Sequence, residues 1–133
     1  MKNASPQTSP KEREIKIKPS EIKFSVHLDE NKLPIKIDWN ATDAGLSDKK
    51  SCKSLMISIF DEKDKSTLRI DLWTKDMLVD EMKRFYHETF LSMADSYHRA
   101  TGDVETGKKI RDFSKQFIEQ ANLYSSLTEE EEK

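Results

Sequence analysis

Apolar residues recur at every second position in the first half of the chain and at every third or fourth in the second half. Ile22, Phe24, Val26 and Leu28 alternate with Lys23, Ser25 and His27, and Leu33, Ile35, Ile37 and Trp39 alternate with Pro34, Lys36 and Asp38. A period of two marks a strand with one face inward, and Asp29 to Lys32 supplies the turn of a hairpin. Pro34 has no N–H to give to a ladder, which places it at a strand start or on an outward edge. Asn40 to Lys50 is small and polar and reads as a loop, with Gly45 available for a positive φ. The next strand spans roughly Ser54 to Phe60. Leu55, Ile57 and Ile59 form one face and Met56 and Phe60 lie on the other, a pattern that predicts a central strand or one covered on both sides. After the turn at Asp61 to Lys65, a fourth strand carries Leu68, Ile70 and Leu72 inward and Thr67, Arg69 and Asp71 outward.

The period then changes. Leu78, Val79, Met82, Phe85, Tyr86, Phe90, Met93 and Tyr97 are spaced by threes and fours, as on one helical face. At about 100° per residue they cover an arc of roughly 160°, wider than the ~100° stripe that one neighbour needs. The helix is therefore expected to touch two layers. Asp80, Glu81, Arg84, Glu88, Asp95 and Arg99 fall on its opposite side, and Gly102 stands where a left-handed residue ends a helix. Ile110, Phe113, Phe117, Ile118, Ala121 and Tyr124 predict a second helix, antiparallel to the first across the short corner Thr101 to Asp103.

This order, β-β-β-β-α-α, predicts an α+β fold of two layers: a four-stranded antiparallel sheet with both C-terminal helices on one face. The stretch Leu68 to Gly102, strand, corner and long helix, organises it. Residues 1–19, rich in Ser, Pro and Lys, are expected to be a disordered tail; residues 20–126 a single domain; and residues 127–133, with four consecutive glutamates, an acidic tail.

At 133 residues the chain is long enough for one small core. Its net charge of −2 gives no basic field toward nucleic acid. The N-terminus lacks an apolar signal core and no run reaches the ~18 apolar residues of a membrane span. Cys52 is the one cysteine, which fits a reducing compartment. These features predict a soluble cytoplasmic protein.

Catalytic and metal constellations are not evident. His87 and His98 lie eleven residues apart, ~16 Å along a helix axis, too far to share an ion. Both read as solvated residues at the helix edge. Asp95 and His98 supply one weak variant of an element that carboxylate-bridged sites need twice. Cys52 has no His at a known catalytic spacing, and three glycines form no phosphate loop. No catalytic residue, cofactor or metal is expected. Trp39 at the end of a strand and Trp73 at the strand–helix corner read first as plugs at the ends of the core. Their alternative role is partner binding, together with Met56 and Phe60 on the sheet face opposite Leu55, Ile57 and Ile59.

The string LRIDLWTKDM-x-VDEMKRFYHET-x-x-SMADSYHRATGD over Leu68 to Asp103 resembles the gliding motility-associated GldC family of Bacteroidetes. IKFSVHLDEN-x-x-P-x-KIDW-x-ATD-x-G, Ile22 to Gly45, resembles the same family, so the likeness covers about 20–125. Two departures are a longer tail at 1–20 and Leu78 where the family pattern leads one to expect Pro. The resemblance implies a cytoplasmic accessory of surface gliding, a process linked to type IX secretion, with no enzyme activity and no established catalytic residues. The strand and helix order is also similar to that of the export chaperone SecB, in topology alone. The expected function is protein–protein contact within the gliding or secretion machinery, and the alternative is a holdase for exported proteins. Large apolar patches are uncommon on monomers. The wide arc of the first helix and the apolar atoms on both sheet faces therefore predict a homo-oligomer, most simply a two-fold dimer. In a monomer, loop 40–53 or Ile15 and Ile17 would have to cover Met56 and Phe60.

Overall fold

A computed structural model of the chain describes residues 18–43 and 46–122. The expectations for the two tails, Gly45, Ile15, Ile17 and Tyr124 lie outside these residues. Within them the order is β1 (Ile22–Leu28), β2 (Pro34–Ala41), β3 (Leu46–Cys52), β4 (Ser54–Phe60), β5 (Thr67–Trp73), α1 (Val79–Thr101) and α2 (Val104–Ala121). The class is α+β, with antiparallel strands followed by two C-terminal helices. The chain divides into two units between Asp76 and Met77, one of strands and one of helices.

The expected four-stranded sheet is instead two sheets. β1, β2 and β3 form one in that order, and β4 and β5 form a separate ribbon. The extra strand, β3, lies in the stretch read as a loop. LSDKKSC has no apolar alternation to signal it, because it is an edge strand held by its backbone ladder to β2, with Ile37 opposite Cys52 and Trp39 opposite Lys50. That segment is thus not free to fold over Met56 and Phe60. The strand order that suggested SecB does not hold either, since five strands precede the helices. β4 is not central: among the described residues it pairs with β5 alone.

The first sheet keeps the expected alternation from Ile37 to Ala41, but its apolar face is not inward throughout: Ile22, Phe24, Leu28, Leu33 and Ile35 are exposed, and the slip at His27/Leu28 sets Pro34 opposite Leu28. Ile22 faces Ala41, Phe24 faces Trp39 and Val26 faces Ile37, all on one side. Pro34 opens β2, where its missing N–H costs no ladder bond. Asp29 ties the hairpin turn, accepting from the backbone N of Asn31 at 2.8 Å and of Leu33 at 2.9 Å. Lys32 takes a positive φ of 65° at the tip. Ile37 is fully buried, and Ala41 and Leu55 are also buried. A single residue, Lys53, separates β3 from β4, and its carbonyl accepts from Thr74 N at 2.8 Å. Lys75 N donates to Pro34 O at 3.0 Å, which joins the end of β5 to the start of β2.

The helices pack antiparallel on small residues. Gly107 of α2 lies so close to α1 that a Cβ there would sit 3.3 Å from His98 Cβ and 3.4 Å from Ala94 O. One turn pair further on, the buried Ser114 hydroxyl donates to His87 O at 3.3 Å. This close seam buries Ala94 and His87. His87 is therefore a seam residue and not the solvated edge residue expected, because Ser114 and Gly107 let α2 approach on its side. Phe90 points between the helices and meets Phe113 and Phe117 edge-on, at ring-centroid distances of 5.4 and 5.2 Å. Tyr86 and Met93, expected in the core, are exposed, since α2 occupies only one flank of the wide apolar arc.

Several hydrogen bonds hold the corner between the helices. Gly102, at φ 75°, donates its N–H to His98 O. Asp103 caps α2 by accepting from Thr106 N at 3.0 Å and also accepts from the Tyr97 hydroxyl at 3.0 Å. At the other end of α1, Leu78 N donates to Glu81 Oε1 at 2.9 Å. Leu78 has no side-chain oxygen to cap in return.

Candidate partner-binding surface

The β4–β5 register assigns each ribbon residue to a face. Leu55 opposes Leu72, Ile57 opposes Ile70 and Ile59 opposes Leu68 on one side. On the other, Ser54 opposes Trp73, Met56 opposes Asp71, Ser58 opposes Arg69 and Phe60 opposes Thr67. Burial falls along the first face, from Leu55 at 7% exposed to Leu68 at 58%. Leu68 and Ile70, expected inward, are exposed: a two-stranded ribbon reaches past the core formed at Leu55 and has no second layer from its own unit at that end.

The second face carries three of the four residues expected to bind partners. Trp73 is 53% exposed and Phe60 65% exposed, with Met56 half-buried between them. Trp73 and Met56 are diagonal neighbours across the ribbon, within reach of each other's side chains. Between this pair and Phe60 runs an ion pair along β5, Arg69 to Asp71 at 2.7 Å. Trp73 does not plug the core, because the chain leaves β5 through Thr74, and it is Thr74 that is buried. Trp39 belongs to the other sheet. It is half-buried and stacks on Phe24 at 6.4 Å with an interplanar angle of 23°. The structure therefore places Trp73 and Met56 side by side, sets Phe60 at the far end of the same face, and leaves Trp39 apart.

Beside Trp73 lies a groove of about 260 Å³ lined by Leu33, Pro34, Asp71, Leu72, Trp73 and Lys75. Leu33, Pro34, Leu72 and the indole supply its apolar wall. Lys75 Nζ bonds Asp29 Oδ2 at 2.8 Å at the rim. That bond, with those from the Leu33 and Asn31 backbone, holds the Asp29 carboxyl below the ordinary carboxylate range. Such a pocket, apolar with a few fixed charges at its edge, suits an apolar side chain presented by a polar chain. Sequence reasoning missed Leu33 and Lys75 in this role. Their only signal was position, flanking Pro34 and Trp73.

A second cavity holds Cys52, Ser51, Ile37, Thr74 and Asp76. Burial pushes the Cys52 thiol up, and Asp38 adds to this, which disfavours the thiolate that nucleophilic chemistry requires. Asp38 itself is buried, accepting from Ser51 Oγ at 3.1 Å with His27 Nε2 at 3.4 Å. Among the described residues no group of three or more His, Cys, Asp or Glu side chains could hold a metal ion. Among them, too, no helix is long and apolar enough to cross a membrane.

The class these features define is an α+β protein whose described surface offers an apolar, tryptophan-lined groove. Over residues 34–123, from the start of β2 to just past α2, the chain matches the family described as gliding motility-associated protein GldC-like. It belongs to that family. No curated protein and no solved structure matches it.

Proposed function

We propose that this protein is a cytoplasmic, non-enzymatic accessory of bacterial gliding motility that acts through protein–protein contacts. The observation that carries the reading is the outer face of the β4–β5 ribbon, where Trp73 is more than half exposed and lines an apolar groove, with Phe60 also exposed at the far end of the same face. Tryptophan in a groove is the type of residue around which binding energy concentrates. The occupant is an apolar side chain from a protein of the gliding or secretion machinery. A photo-crosslinking residue at position 33, on the wall of the groove, placed in the protein inside a gliding cell, tests this. One discrete adduct that disappears with Trp73→Ala is the expected result. No adduct, or one indifferent to Trp73→Ala, rejects the groove.

One observation favours a second reading, a SecB-like holdase for exported proteins. Apolar side chains are exposed on both ribbon faces and along the helices at Tyr86, Met93 and Phe113. Such a surface would hold many unfolded chains. The same crosslinking would then give a broad set of adducts, and the purified protein would suppress aggregation of unrelated unfolded substrates.

A further inference from the structure

Among the described residues, β1 pairs with β2 along one edge and with nothing along the other. Its bonding parity is fixed at both ends. Glu21 O accepts from Thr42 N at 3.1 Å, and Asp29 N donates to Leu33 O at 2.9 Å. Between them β1 is regular, since the register slip at His27/Leu28 places the additional residue, Ile35, on β2. In an antiparallel ladder alternate residues turn both backbone groups to the same side. Residues 21, 23, 25, 27 and 29 thus bond toward β2. Ile22, Phe24, Val26 and Leu28 turn their N–H and C=O groups to the open edge.

The two outer strands of this sheet differ. β3 carries Asp48, Lys49 and Lys50, and its ladder is irregular between Trp39 and Ala41. Charge and irregularity are the usual protections of an edge against pairing. β1 has Lys23 alone as a fixed charge, and Ile22, Phe24 and Leu28 are exposed.

We infer that the open edge of β1 pairs antiparallel with β1 of a second copy, about a two-fold axis through Ser25. IKFSVHL is self-complementary in that register. Ile22 meets Leu28 and Phe24 meets Val26, so all four outward residues of each copy find backbone partners. Ser25 meets itself, and Lys23 meets His27, so no carboxylate opposes another. The apolar side chains of both copies stay on the side that carries Ile37 and Trp39. Two three-stranded sheets become one continuous sheet with one apolar face. This pairing leaves the Trp73 groove untouched and stands independently of the partner reading.

Two variants of the full chain test it. In this register the Ser25 pair is not hydrogen-bonded across the axis, and its Cα atoms lie ~4.5 Å apart, within disulfide range. In a Cys52→Ser background under oxidised glutathione, Ser25→Cys should give a covalent dimer. Lys23→Cys should not, because the two copies of that position lie ~13 Å apart along the strands. Independently, light scattering of the unmodified chain should show twice 15.5 kDa at high concentration and 15.5 kDa on dilution. Val26→Pro removes an outward N–H without touching the β2 ladder, and should hold the mass at 15.5 kDa with unchanged circular dichroism. A mass of 15.5 kDa at every concentration would overturn the inference. So would crosslinking of Ser25→Cys no faster than Lys23→Cys, which places any second copy elsewhere.

Discussion

The helical hairpin and the β4–β5 ribbon bury apolar residues by opposite means. In the hairpin the most buried positions are small or polar, Gly107, Ala94, Ser114 and His87, while Tyr86, Met93 and Phe113 remain exposed. The helices are held by backbone approach at the seam, with Phe90 wedged beside it. In the ribbon the buried anchor is one large aliphatic residue, Leu55, and burial fades along the strands toward Leu68 and Phe60. Stability thus concentrates at a close crossing in one unit and at one end of a two-stranded element in the other. What is left over in each is apolar surface that contributes little to the fold. An isolated two-stranded hairpin is marginal in water, so the ribbon's stability depends on its Leu55 end.

A severe break is expected at the seam. Gly107→Leu would force its side chain into His98 and the Ala94 carbonyl, and overpacking of this kind costs about 1–3 kcal/mol or more. Gly107→Ala sets ~1 kcal/mol of helix propensity against a contact only a few tenths of an ångström tight, so its melting temperature should stay near that of the parent. Equal losses for the two would show that the helices are not in close approach there.

Next comes the gradient along the ribbon. Leu55→Ala should cost about 2–4 kcal/mol as a buried truncation. Leu68→Ala, more than half exposed, should cost under ~1 kcal/mol. Chemical denaturation measures both, and a reversal would mean that the far end of the ribbon is the anchored one. Phe90→Ala is intermediate. The ring contacts Phe113 and Phe117 but is only half-buried, so about 2 kcal/mol is expected, short of a fully buried phenylalanine. Glu88→Ala on the exposed side should stay within ~0.5 kcal/mol.

Strand alternation was legible because each β residue's face follows from its register alone. Met56, Phe60 and Trp73 are therefore placed on the sheet face opposite Leu55 or at its corner by the sequence alone. The helical arc was legible as an arc but not in its orientation. The pattern weighs large apolar residues, whereas the seam is made by Gly107 and Ser114, whose value lies in their smallness. β3 was illegible because an edge strand needs only backbone bonds, and LSDKKSC gives no side-chain pattern. The groove was half legible: Trp73 stands out in composition, but Leu33 and Lys75 join it only through the Lys75–Asp29 and Lys75–Pro34 bonds.

The smallest effect expected is on acid stability. Asp29 is held below the ordinary carboxylate range chiefly by Lys75, and Asp103 chiefly by Thr106 and then Tyr97. A carboxyl depressed in the folded state stabilises it above the unfolded value, near 4, and that contribution is lost as pH falls through the folded value. Both carboxyls are half-buried at the surface, where solvent still screens them, so the loss is slight. Asp29→Asn and Asp103→Asn should each make the melting temperature less sensitive to acid below about pH 4. A steeper dependence in either variant would contradict these bonds.

The central claim is that the exposed outer face of the ribbon serves contact and not folding. Surface spreading of gliding cells in which Trp73→Ala replaces the parent residue tests it most directly, with protein level and melting temperature measured alongside. Loss of spreading at unchanged level and near-unchanged stability is the expected result. Normal spreading by cells with the indole removed would contradict it.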